Sequence, residues 1–590
     1  MPSSPVSLSE KRHTLAHLLA AAVLERYPHA KATIGPAIDN GFYYDFDFSE
    51  AKGSDSAPGE AELAELESAM RDLLPTWTEM QGTEVSAEDA RDRFAGNPFK
   101  LELIDGIVEA GEPITLYTAG SFTDLCRGGH SEHPAHDIAP DSFTLDRIAG
   151  AYWRGDETKP MLTRIYGLAF DTKEELDAYK TQREEALARD HKKLGKELDL
   201  FLIDEKVGKG LPMWTPKGTT IKYELENFVR QLERKYKYEH VATPYLGGEE
   251  LYKTSGHLEH YASNMYAPID MDGDKFYLRP MACPHHIRMY QRKPWSYKDL
   301  PIRYAEIADY NRYEKSGELM GMIRVRKFQL TDGHLFVTPE GLKEEFKNVC
   351  RMIVEAMTGL GLIDIVSYRF SKRDPQNKEK YYPDDELWNK AEGLMKEALD
   401  ELGLPYVEAE DEAAFYGPKL DVQARNVHGK EDTLFTAQMD FLLPEKFDIE
   451  YTDADGKKKR PVMIHRSTIG SLERVFGFLI EHYGGAFPTW LSPVQARVLP
   501  ISEKHAAYAE ELLATLDAAG IRADADSSSE SLGKRIRSAK QEKIPYLLVV
   551  GDAEVEAGTV SIESRDQGKL DPMSGTDFVA KVQEEIRARA

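Results

Sequence analysis

Two pairs of side chains that bind metals or transfer protons share one spacing in the first part of the chain. His13 and His17 lie four residues apart in HTLAH, and Cys126 and His130 repeat that interval in CRGGH. Imidazole and thiolate groups bind zinc, and an imidazole also positions water or takes a proton from it. A single such pair is most often two structural or surface side chains. The spacing alone therefore leaves a zinc site, a hydrolytic site and chance open.

The first pair is predicted to lie on one face of a helix over residues 13–27. Side chains four residues apart on a helix are neighbours, which places the two histidine Cβ atoms roughly 5–6 Å apart. The apolar residues that predict the helix recur at the same interval: Leu15, Leu18, Leu19 and Val23. The next stretch, IGPAIDNGFYYDFDF, predicts strands and a hairpin, because Gly-Pro and Asn-Gly turns stand among alternating aromatics. Residues 50–60 are predicted to form a loop, which a polar helix follows.

A second set of charged side chains lies in the middle of the chain. Arg312 stands two positions before Glu314, a spacing that suits one face of an extended strand. Arg474 follows Gly470 at a predicted helix start, and glycine lets a ligand approach the backbone closely. The planar donors of arginine match phosphate oxygens. Taken alone, the Arg312–Glu314 pair or the segment around Arg474 is interpreted by default as a surface ion pair. Phosphate binding and a surface ion pair therefore both remain open at this point.

The bulk composition limits the class of protein. A chain of 590 residues predicts more than one domain. A net charge of −26 disfavours loose adhesion to nucleic acid or anionic membranes, although a local basic surface can still bind RNA. Three cysteines exclude a disulfide framework. No apolar signal segment and no run of ~18 apolar residues is present, so a cytoplasmic protein is predicted.

Four segments follow from the pattern of helices, strands and turns. Residues 171–199 are charged and lack proline, which predicts one connecting helix. The next block opens with a long helix whose apolar face is marked by Ile221, Leu225, Phe228, Val229, Leu232 and Tyr236. The last block alternates strand and helix, which predicts a small α/β domain with parallel strands. The predicted parts are 1–170, 171–199, 200–491 and 492–590.

Seven separated motifs give the chain a family resemblance. GFYYDFDF, CRGGH, GAYWRGD, PMACP, FYGPK, VMIHRSTIGSLER and GDAEVEAG occur in this order and resemble the motifs of threonyl-tRNA synthetases, which are class II aminoacyl-tRNA synthetases. The resemblance runs from about residue 12 to the C-terminus. It implies an α+β multidomain fold with three parts. These are an antiparallel catalytic sheet with helices, an N-terminal α/β editing domain and a C-terminal α/β anticodon-binding domain.

The resemblance also implies an activity, cofactors and partners. The activity is ATP-dependent activation of L-threonine, its transfer to the 3' end of tRNA(Thr), and hydrolysis of mischarged Ser-tRNA(Thr). The implied cofactors are one Zn²⁺ per subunit and Mg²⁺ with ATP. The implied assembly is a homodimer, with Pro244 in the motif that forms its interface. A leading ubiquitin-like domain that the family often carries is expected to be absent, because only twelve residues precede His13.

Residue roles at the synthetic site follow from matched motif positions. Arg312 is implied to hold the ATP α-phosphate, Glu314 to contact the adenine side and Phe328 to stack on the adenine. The other implied contacts are Arg324, Arg474 and Gln438 for ATP, Asp332 and Tyr416 for threonine, and Cys283, His334 and His465 for zinc. The zinc ligands lie so far apart in the chain that spacing alone does not reveal them.

A second, hydrolytic site is implied by the chemistry of serine. Zinc in this family binds the amino group and hydroxyl of threonine, so valine, which has no hydroxyl, is rejected strongly. Serine keeps the hydroxyl and lacks one methyl, which is worth only ~1–3 kcal/mol, so a second sieve is needed. The implied editing residues are His13, His17, Tyr44, Lys100, Asp124, Cys126 and His130. Related alanyl editing domains bind zinc at such a set, but editing without metal is the favoured interpretation.

Several positions depart from the family pattern. Ala282, His285, Leu330 and Gly129 stand where the family has Asn, Gly, Gln and Pro. His285 is expected to crowd the metal, Leu330 to rearrange a substrate contact and Gly129 to loosen its loop. In the last domain Glu563 replaces a more basic residue. The segment SLGKRIRSAKQEK is either a phosphate-contacting helix or a solvated face, with the basic residues Lys534, Arg535, Arg537, Lys540 and Lys543.

Three other functions remain alternatives. A prolyl or seryl class II synthetase is disfavoured by the zinc and editing matches. A non-catalytic relative of the synthetases is disfavoured because Arg312, Arg474 and the three zinc-ligand positions are retained. A stand-alone deacylase is disfavoured by the ATP motifs.

Overall fold

The computed structural model describes residues 6–50, 57–427 and 429–589. The chain forms two compact units, one ending at Glu185 and the other beginning at Ala186, so that the division falls within the last turn of the helix Lys173–Arg189. The predicted loop over 50–60 lies partly outside the described residues, and a helix follows it as predicted. Within the described part of the chain, no helix is long and apolar enough to span a bilayer.

The first unit combines antiparallel sheets with helices. Its elements, in chain order, are α1 Leu8–Arg26, β1 Lys31–Ala32, β2 Ala37–Ile38, β3 Gly41–Asp47, α2 Leu63–Leu73, β4 Met80–Val85, α3 Ala87–Arg93, α4 Pro98–Ala110, β5 Ile114–Ala119, β6 Phe122–Leu125, α5 Pro134–Asp137, β7 Phe143–Tyr152, β8 Met161–Ala169 and α6 Lys173–Arg189. One sheet has the order β1-β3-β8-β7 with β2 beside β3, and the other has the order β4-β5-β6. The hairpin predicted from Asn-Gly is β2 paired with β3.

Helix α1 begins with a reciprocal cap. The Ser7 side chain accepts the Glu10 N–H, and the Glu10 carboxylate accepts the Ser7 N–H. The sequence predicted one buried apolar face, but the helix is buried on more than one face. The alanines outside the predicted face are also buried: Ala16, Ala20, Ala21 and Ala22. Their small side chains allow neighbouring elements to approach from several sides. The helix therefore carries His17, which is 2% exposed, inside the unit.

The second unit opens with the elements of the synthetic core. They are α7 His191–Glu197, β9 Phe201–Leu202, β10 Met213–Trp214, α8 Pro216–Lys235, β11 Glu239–His240, β12 Leu246–Gly248, α9 Glu249–Thr254, α10 His257–His260, β13 Ile269–Met271, β14 Asp274–Leu278, α11 Cys283–Tyr290, β15 Ile302–Asn311, β16 Lys327–Val337, α12 Leu342–Gly359, β17 Val366–Ser371, α13 Asp385–Leu402, β18 Tyr406–Ala409, β19 Lys419–Arg425, β20 Glu431–Asp440, α14 Leu442–Lys446, β21 Tyr451–Thr452, β22 Lys458–Lys459, β23 Val462–Ser471 and α15 Leu472–Tyr483.

One large sheet organises this core. Its order is β11-β15-β16-β23-β20-β19-β17-β18, and the pairs at its two edges are parallel while the inner pairs are antiparallel. The predicted antiparallel catalytic sheet is therefore confirmed. The long helix α8 buries the apolar face predicted for it from Ile221 to Leu232, and Tyr236 is half-buried just past its end.

The last elements form a smaller mixed sheet. They are β24 Ala496–Pro500, α16 Ala506–Ala518, β25 Ala523–Ala525, α17 Leu532–Gln541, β26 Tyr546–Val550, α18 Asp552–Ala557, β27 Val560–Ser564, β28 Gly568–Met573 and α19 Gly575–Ala588. The order is β25-β24-β26-β27-β28. The parallel prediction is correct for β25, β24 and β26 and wrong for β27 and β28, which run antiparallel. A short turn joins β27 to β28, which is the usual connection of an antiparallel pair.

Two local predictions are corrected. The connector 171–199 is two helices, because Asp190 ends the first and caps α7 by accepting the Lys192 N–H. Arg535 of the basic segment is buried and donates to main-chain carbonyls of the same domain, so it is a structural residue and not a phosphate contact.

Candidate active sites

A cavity of about 340 Å³ lies against strands β15, β16, β20 and β23 in the second unit. Every residue that the sequence assigned to ATP, threonine or zinc lines it. These residues are Cys283, Arg312, Glu314, Arg324, Phe328, Asp332, His334, Tyr416, Gln438, His465 and Arg474. Side chains from distant parts of the chain thus converge on one concave site, which is the usual form of a substrate pocket.

One part of this cavity is rich in arginine. The guanidinium of Arg312 lies 5.1 Å from the Phe328 ring centre. Arg474 stands in the first turn of α15, where the Ser471 side chain accepts its N–H. Burial, and then the charges of Arg312 and Arg324, lower the pKa of Arg474 to about 10. Three cations gathered in one cavity, with Arg312 and Arg474 half-buried and Arg324 exposed, form a site suited to a polyanion such as a nucleoside triphosphate.

The strand expected for Arg312 and Glu314 is not present. Strand β15 ends at Asn311, and both residues lie in the loop directly after it. The Glu314 N–H donates to the Arg312 carbonyl in a tight turn at 3.1 Å. Both side chains still reach the cavity, so the prediction of a shared site is correct although its local reason is wrong.

A buried histidine, which sequence reasoning missed, holds the loop that carries Arg324. The Met322 N–H donates to Nε2 of His191 at 3.2 Å. Since that nitrogen accepts, Nδ1 carries the proton and donates to Glu481 Oε1 at 2.7 Å. A Cβ at Gly321, where φ is +50°, would lie 2.1 Å from His191 Nε2, so only glycine permits this approach. His191 therefore joins α7, the loop and α15 at one point.

Replacing His191 with alanine is expected to raise the KM for ATP about tenfold, with a smaller change in kcat. The lost hydrogen bond leaves the Met322 N–H without its buried partner, a cost of roughly 1–3 kcal/mol that loosens the loop. ATP–pyrophosphate exchange measures both constants. His505→Ala is the matched control, because that buried histidine pairs with Asp552 outside the cavity. A fall in Tm with an unchanged KM would contradict the role.

The other part of the cavity holds a set of three soft ligands, the zinc set, which comprises Cys283, His334 and His465. Their donor atoms lie within 4.8 Å of one another, and all three side chains are buried. Cys283 is the first residue of α11, while the two histidines face each other in register on β16 and β23. The set has no fourth donor among the residues that the structure describes, and one thiol with two imidazoles is typical of a catalytic zinc site.

Hydrogen bonds outside the zinc set orient its imidazoles. His286 Nε2 lies 3.0 Å from Glu306 Oε2, so its Nδ1 accepts from Nδ1 of His334 at 2.8 Å. His465 Nε2 donates to the buried carboxylate of Asp440 at 2.7 Å. These contacts leave the lone pairs on Nε2 of His334 and Nδ1 of His465 free. The donor set therefore fits a zinc ion, whose histidine ligands use this kind of second contact.

The pKa shifts agree with an interior prepared for a cation. Burial, and then Asp332 and Asp440, raise the pKa of the Cys283 thiol well above its usual value. Burial, followed by the neighbouring histidines, lowers the pKa of His334 well below its usual value. The Cys283 thiolate is therefore disfavoured without a positive partner, and His334 is held in its neutral form. A divalent cation supplies that charge and keeps the imidazoles neutral.

Two departures from the family pattern are resolved by the structure. His285 does not crowd the zinc set, because its Nε2 lies 3.3 Å from the Leu246 carbonyl, away from Cys283. Leu330 lines the cavity, whereas Gln329 projects to the other face of β16 and is not among the lining residues. Gln329 therefore does not take the place of the missing glutamine.

The first unit contains its own constellation, the N-terminal cluster, which comprises His13, His17, Cys126 and His130. The ligand atoms of the four residues lie within 4.8 Å of one another. Sγ of Cys126 is 3.4 Å from Nε2 of both His13 and His130. The predicted helix brings the first pair together, and the segment after β6 supplies the second.

A buried carboxylate connects this cluster to two further predicted residues. Asp124 lies 3.1 Å from His17 Nδ1 and 2.5 Å from Lys100 Nζ. The Tyr44 hydroxyl donates to the same carboxylate and accepts from Lys100 at 3.1 Å. Lys100 is placed by α4, whose cap Asn97 accepts its N–H. All the predicted editing residues are thus in one site.

The cluster carries separated charges. Burial alone would raise the pKa of Cys126, but hydrogen bonds from His13, His130 and His17 lower it to about 3. Burial alone would lower the pKa of His17, but Asp124 and Cys126 raise it to about 9. Near neutral pH the site therefore holds a thiolate and a carboxylate beside protonated His17. Such groups orient a water molecule and accept or supply its proton.

The CRGGH loop depends on its glycines. Gly128 and Gly129 have φ angles of +105° and +82°, which proline cannot adopt. The Gly129 carbonyl lies 3.2 Å from Nδ1 of His13. Glycine at this position therefore allows a backbone shape in which the loop contacts the histidine directly.

Comparisons with known proteins agree with this arrangement. Residues 265–483 match the tRNA synthetase class II core domain (G, H, P, S and T), and residues 495–585 match the anticodon binding domain. A threonine–tRNA ligase from Geobacillus sp. (strain WCH70) is 49% identical over 586 residues, 99% of this chain and 89% of the relative. Threonine–tRNA ligase 1 from Bacillus subtilis (strain 168) is 47% identical over 587 residues, 99% of this chain and 90% of the relative.

Solved structures give the same picture for the fold. The crystal structure of the RNA binding domain of threonyl-tRNA synthetase from Cryptosporidium parvum Iowa II has a TM-score of 0.63 and 34% identity, covering 67% of this chain and 98% of that one. Prolyl-tRNA synthetase from Cryptosporidium parvum has a TM-score of 0.52 and 13% identity, covering 68% of this chain and 75% of that one. The second likeness shows a shared fold alone.

Proposed function

The chain belongs to the threonine–tRNA ligases, and from that premise we propose how its two sites divide the work. The protein activates L-threonine with ATP and Mg²⁺ and joins it to tRNA(Thr). We assign both of these steps to the cavity of the second unit, and removal of mischarged serine to the N-terminal cluster and its partners. The convergence of every predicted ATP, threonine and zinc residue on one cavity is the observation that carries the assignment.

We assign the ATP contacts as the resemblance implies. Arg312 holds the α-phosphate that the threonine carboxylate attacks, and Arg324 and Arg474 hold the outer phosphates. Glu314, Phe328 and Gln438 hold the adenosine. No protein nucleophile is needed, because phosphoryl and nucleotidyl transfer depend on positioning and on neutralising charge. The mutual repulsion of the three arginines is relieved when the triphosphate binds.

The zinc set is proposed to bind one Zn²⁺ for amino-acid selection. A zinc ion held there would supply a Lewis-acid contact that a hydroxyl can make and a methyl cannot. Asp332 and Tyr416, which line the same cavity, orient the amino acid. Asp332 already accepts the Tyr310 hydroxyl proton with one oxygen and the Gly333 N–H with the other. It is therefore a fixed carboxylate, placed to accept a further hydrogen bond from a substrate hydroxyl.

The N-terminal cluster is proposed to hydrolyse Ser-tRNA(Thr) without a resident metal. His13 and His130 flank the thiolate of Cys126. Asp124 contacts His17, and Lys100 and Tyr44 hold the Asp124 carboxylate. The groups position a water molecule against the ester and move its proton. Their burial favours a small amino acid such as serine.

Further proposals concern the organisation of the molecule. Residues 1–170 form the editing domain, 171–199 the linker, 200–491 the catalytic domain and 492–590 the anticodon-binding domain. A homodimer formed through the region of Pro244 and a cytoplasmic location complete the proposal. Lys540 pairs with Glu563 at 2.5 Å, and Lys534 pairs with Glu530 at 2.7 Å. Surface ion pairs of this kind are weak, so both lysines can exchange their carboxylate partner for an anticodon phosphate.

Charging of tRNA(Thr) with labelled threonine and, separately, labelled serine tests this division. Threonyl-tRNA is expected to accumulate, while serine consumes ATP and yields no lasting seryl-tRNA. A build-up of seryl-tRNA would show that the first unit does not edit. A preference for proline or serine in ATP–pyrophosphate exchange would overturn the assignment of the cavity. Absence of zinc together with absence of ATP turnover would support the non-catalytic alternative.

A further inference from the structure

We propose that the N-terminal cluster is also a reversible zinc-binding site, and that zinc bound there stops hydrolysis by the first unit. The proposal rests on the editing function proposed above, and it assigns regulation to the same residues. The four donor side chains are one thiolate and three imidazoles, a soft set that prefers zinc to calcium or magnesium.

The spacing of the donors matches a tetrahedral ion. Zn–S and Zn–N bonds of about 2.3 and 2.0–2.1 Å place sulfur and nitrogen ligands about 3.5 Å apart at a tetrahedral angle. Sγ of Cys126 lies 3.4 Å from Nε2 of both His13 and His130. The four ligand atoms are all within 4.8 Å of one another, so small side-chain movements suffice to close the set around one ion.

The opposite edges of two of the three imidazoles, those of His13 and His17, are already held as they are around a bound metal. His13 Nδ1 lies 3.2 Å from the Gly129 carbonyl, and His17 Nδ1 lies 3.1 Å from the Asp124 carboxylate. Both contacts leave Nε2 directed into the cluster. Nε2 of His17 is buried, and the Cys126 sulfur is its neighbour within the cluster. A carboxylate or carbonyl behind a histidine is the usual outer contact of a zinc ligand.

The number of donors distinguishes this cluster from the zinc set. The zinc set offers three ligands and leaves one position of a tetrahedral ion for substrate, whereas the cluster offers four and leaves none. A zinc ion bound by all four residues therefore has no position for water. It also displaces the proton of His17 and occupies the thiolate and imidazole nitrogens that position water in the metal-free site. Zinc is expected to block this hydrolase rather than activate it.

Counting bound zinc tests the site without reference to activity. The purified full-length protein, titrated with Zn²⁺ alone against a chromophoric chelator, is expected to bind two ions per chain. The Cys126→Ser and Cys283→Ser variants are each expected to bind one, and the double variant none. Cys350→Ala, which removes a buried thiol outside both groups, is expected to bind two. One ion in the wild type that is lost in Cys283→Ser would overturn the proposal.

Hydrolysis of preformed Ser-tRNA(Thr), with no ATP or amino acid present, tests the consequence. Chelator-treated protein is expected to hydrolyse it at least tenfold faster than protein loaded with two zinc ions. A second zinc ion that leaves the rate unchanged or raises it would overturn the blocking role. If chelated protein hydrolyses the ester no faster than buffer, the proposed editing function fails instead, and the zinc counts still decide whether the site exists.

Discussion

Cys283→Ser is expected to remove one bound zinc per chain and to reduce threonine-dependent ATP–pyrophosphate exchange by roughly 10³-fold or more, the scale on which a fixed electrostatic contact acts. Cys283 supplies the only thiol of the zinc set, and it is buried at the start of α11. A serine hydroxyl is a poor zinc ligand, so two imidazoles would remain to hold the ion. Loss of the ion removes the contact that distinguishes a hydroxyl from a methyl.

The control for this variant is Cys350→Ala, which changes a buried thiol on α12 in the same unit and outside the cavity. It is expected to retain zinc and exchange activity. Near-normal threonine activation by Cys283→Ser in the absence of zinc would break the assignment of the zinc set. A Cys283→Ser protein that retains residual activity is expected to accept valine more readily, because no zinc ion remains to select a substrate with a hydroxyl group.

The residues of the cavity could be predicted from the sequence, but only through the likeness of whole motifs. Cys283, His334 and His465 show no metal-binding spacing, because the register of β16 against β23 brings the histidines together and α11 delivers the cysteine. Pairing between strands that are distant in sequence is a tertiary property. The spacing of single residues in the sequence does not reveal which distant strands pair.

The supporting contacts were not predictable for the same reason. His286 follows Cys283 closely in PMACPHH, yet its function depends on meeting His334 across the core. Asp440 and His191 stand at positions with no motif of their own, and each acts by closing a hydrogen bond to a distant element. The sequence drew attention only to His285, as an extra imidazole expected to crowd the metal. In the structure His285 contacts the Leu246 carbonyl, and the neighbouring His286 contacts His334.

Local rules explain the errors in secondary structure. Asp190 is a strong N-cap residue, and its presence inside a charged run was the sign that the connector divides into two helices. Alternation alone suggested a strand at Arg312 and Glu314, although β15 had already ended at Asn311. The fold class was unaffected by both errors, because it followed from the family resemblance of the motifs and not from the boundaries of single elements.

His13→Ala is expected to leave threonine charging unchanged and to slow hydrolysis of Ser-tRNA(Thr) about 10²-fold, the lower end of what a positioned acid or base contributes. His13 lies 3.4 Å from Cys126 and contacts the Gly129 carbonyl through its other nitrogen. Alanine removes both contacts and leaves α1 otherwise intact. Seryl-tRNA should then accumulate in a charging assay that contains serine, whereas the wild type shows only ATP consumption.

His136→Ala is the matched control, since that histidine belongs to the same unit but is exposed and pairs only with Asp137. It is expected to edit as the wild type does. Because the ATP and threonine residues lie in the second unit, a loss of threonine charging in His13→Ala would mean that the two functions are not separate. Undiminished hydrolysis in His13→Ala would remove His13 from the editing site. It would leave Lys100, Asp124 and His17 as the groups that handle the water.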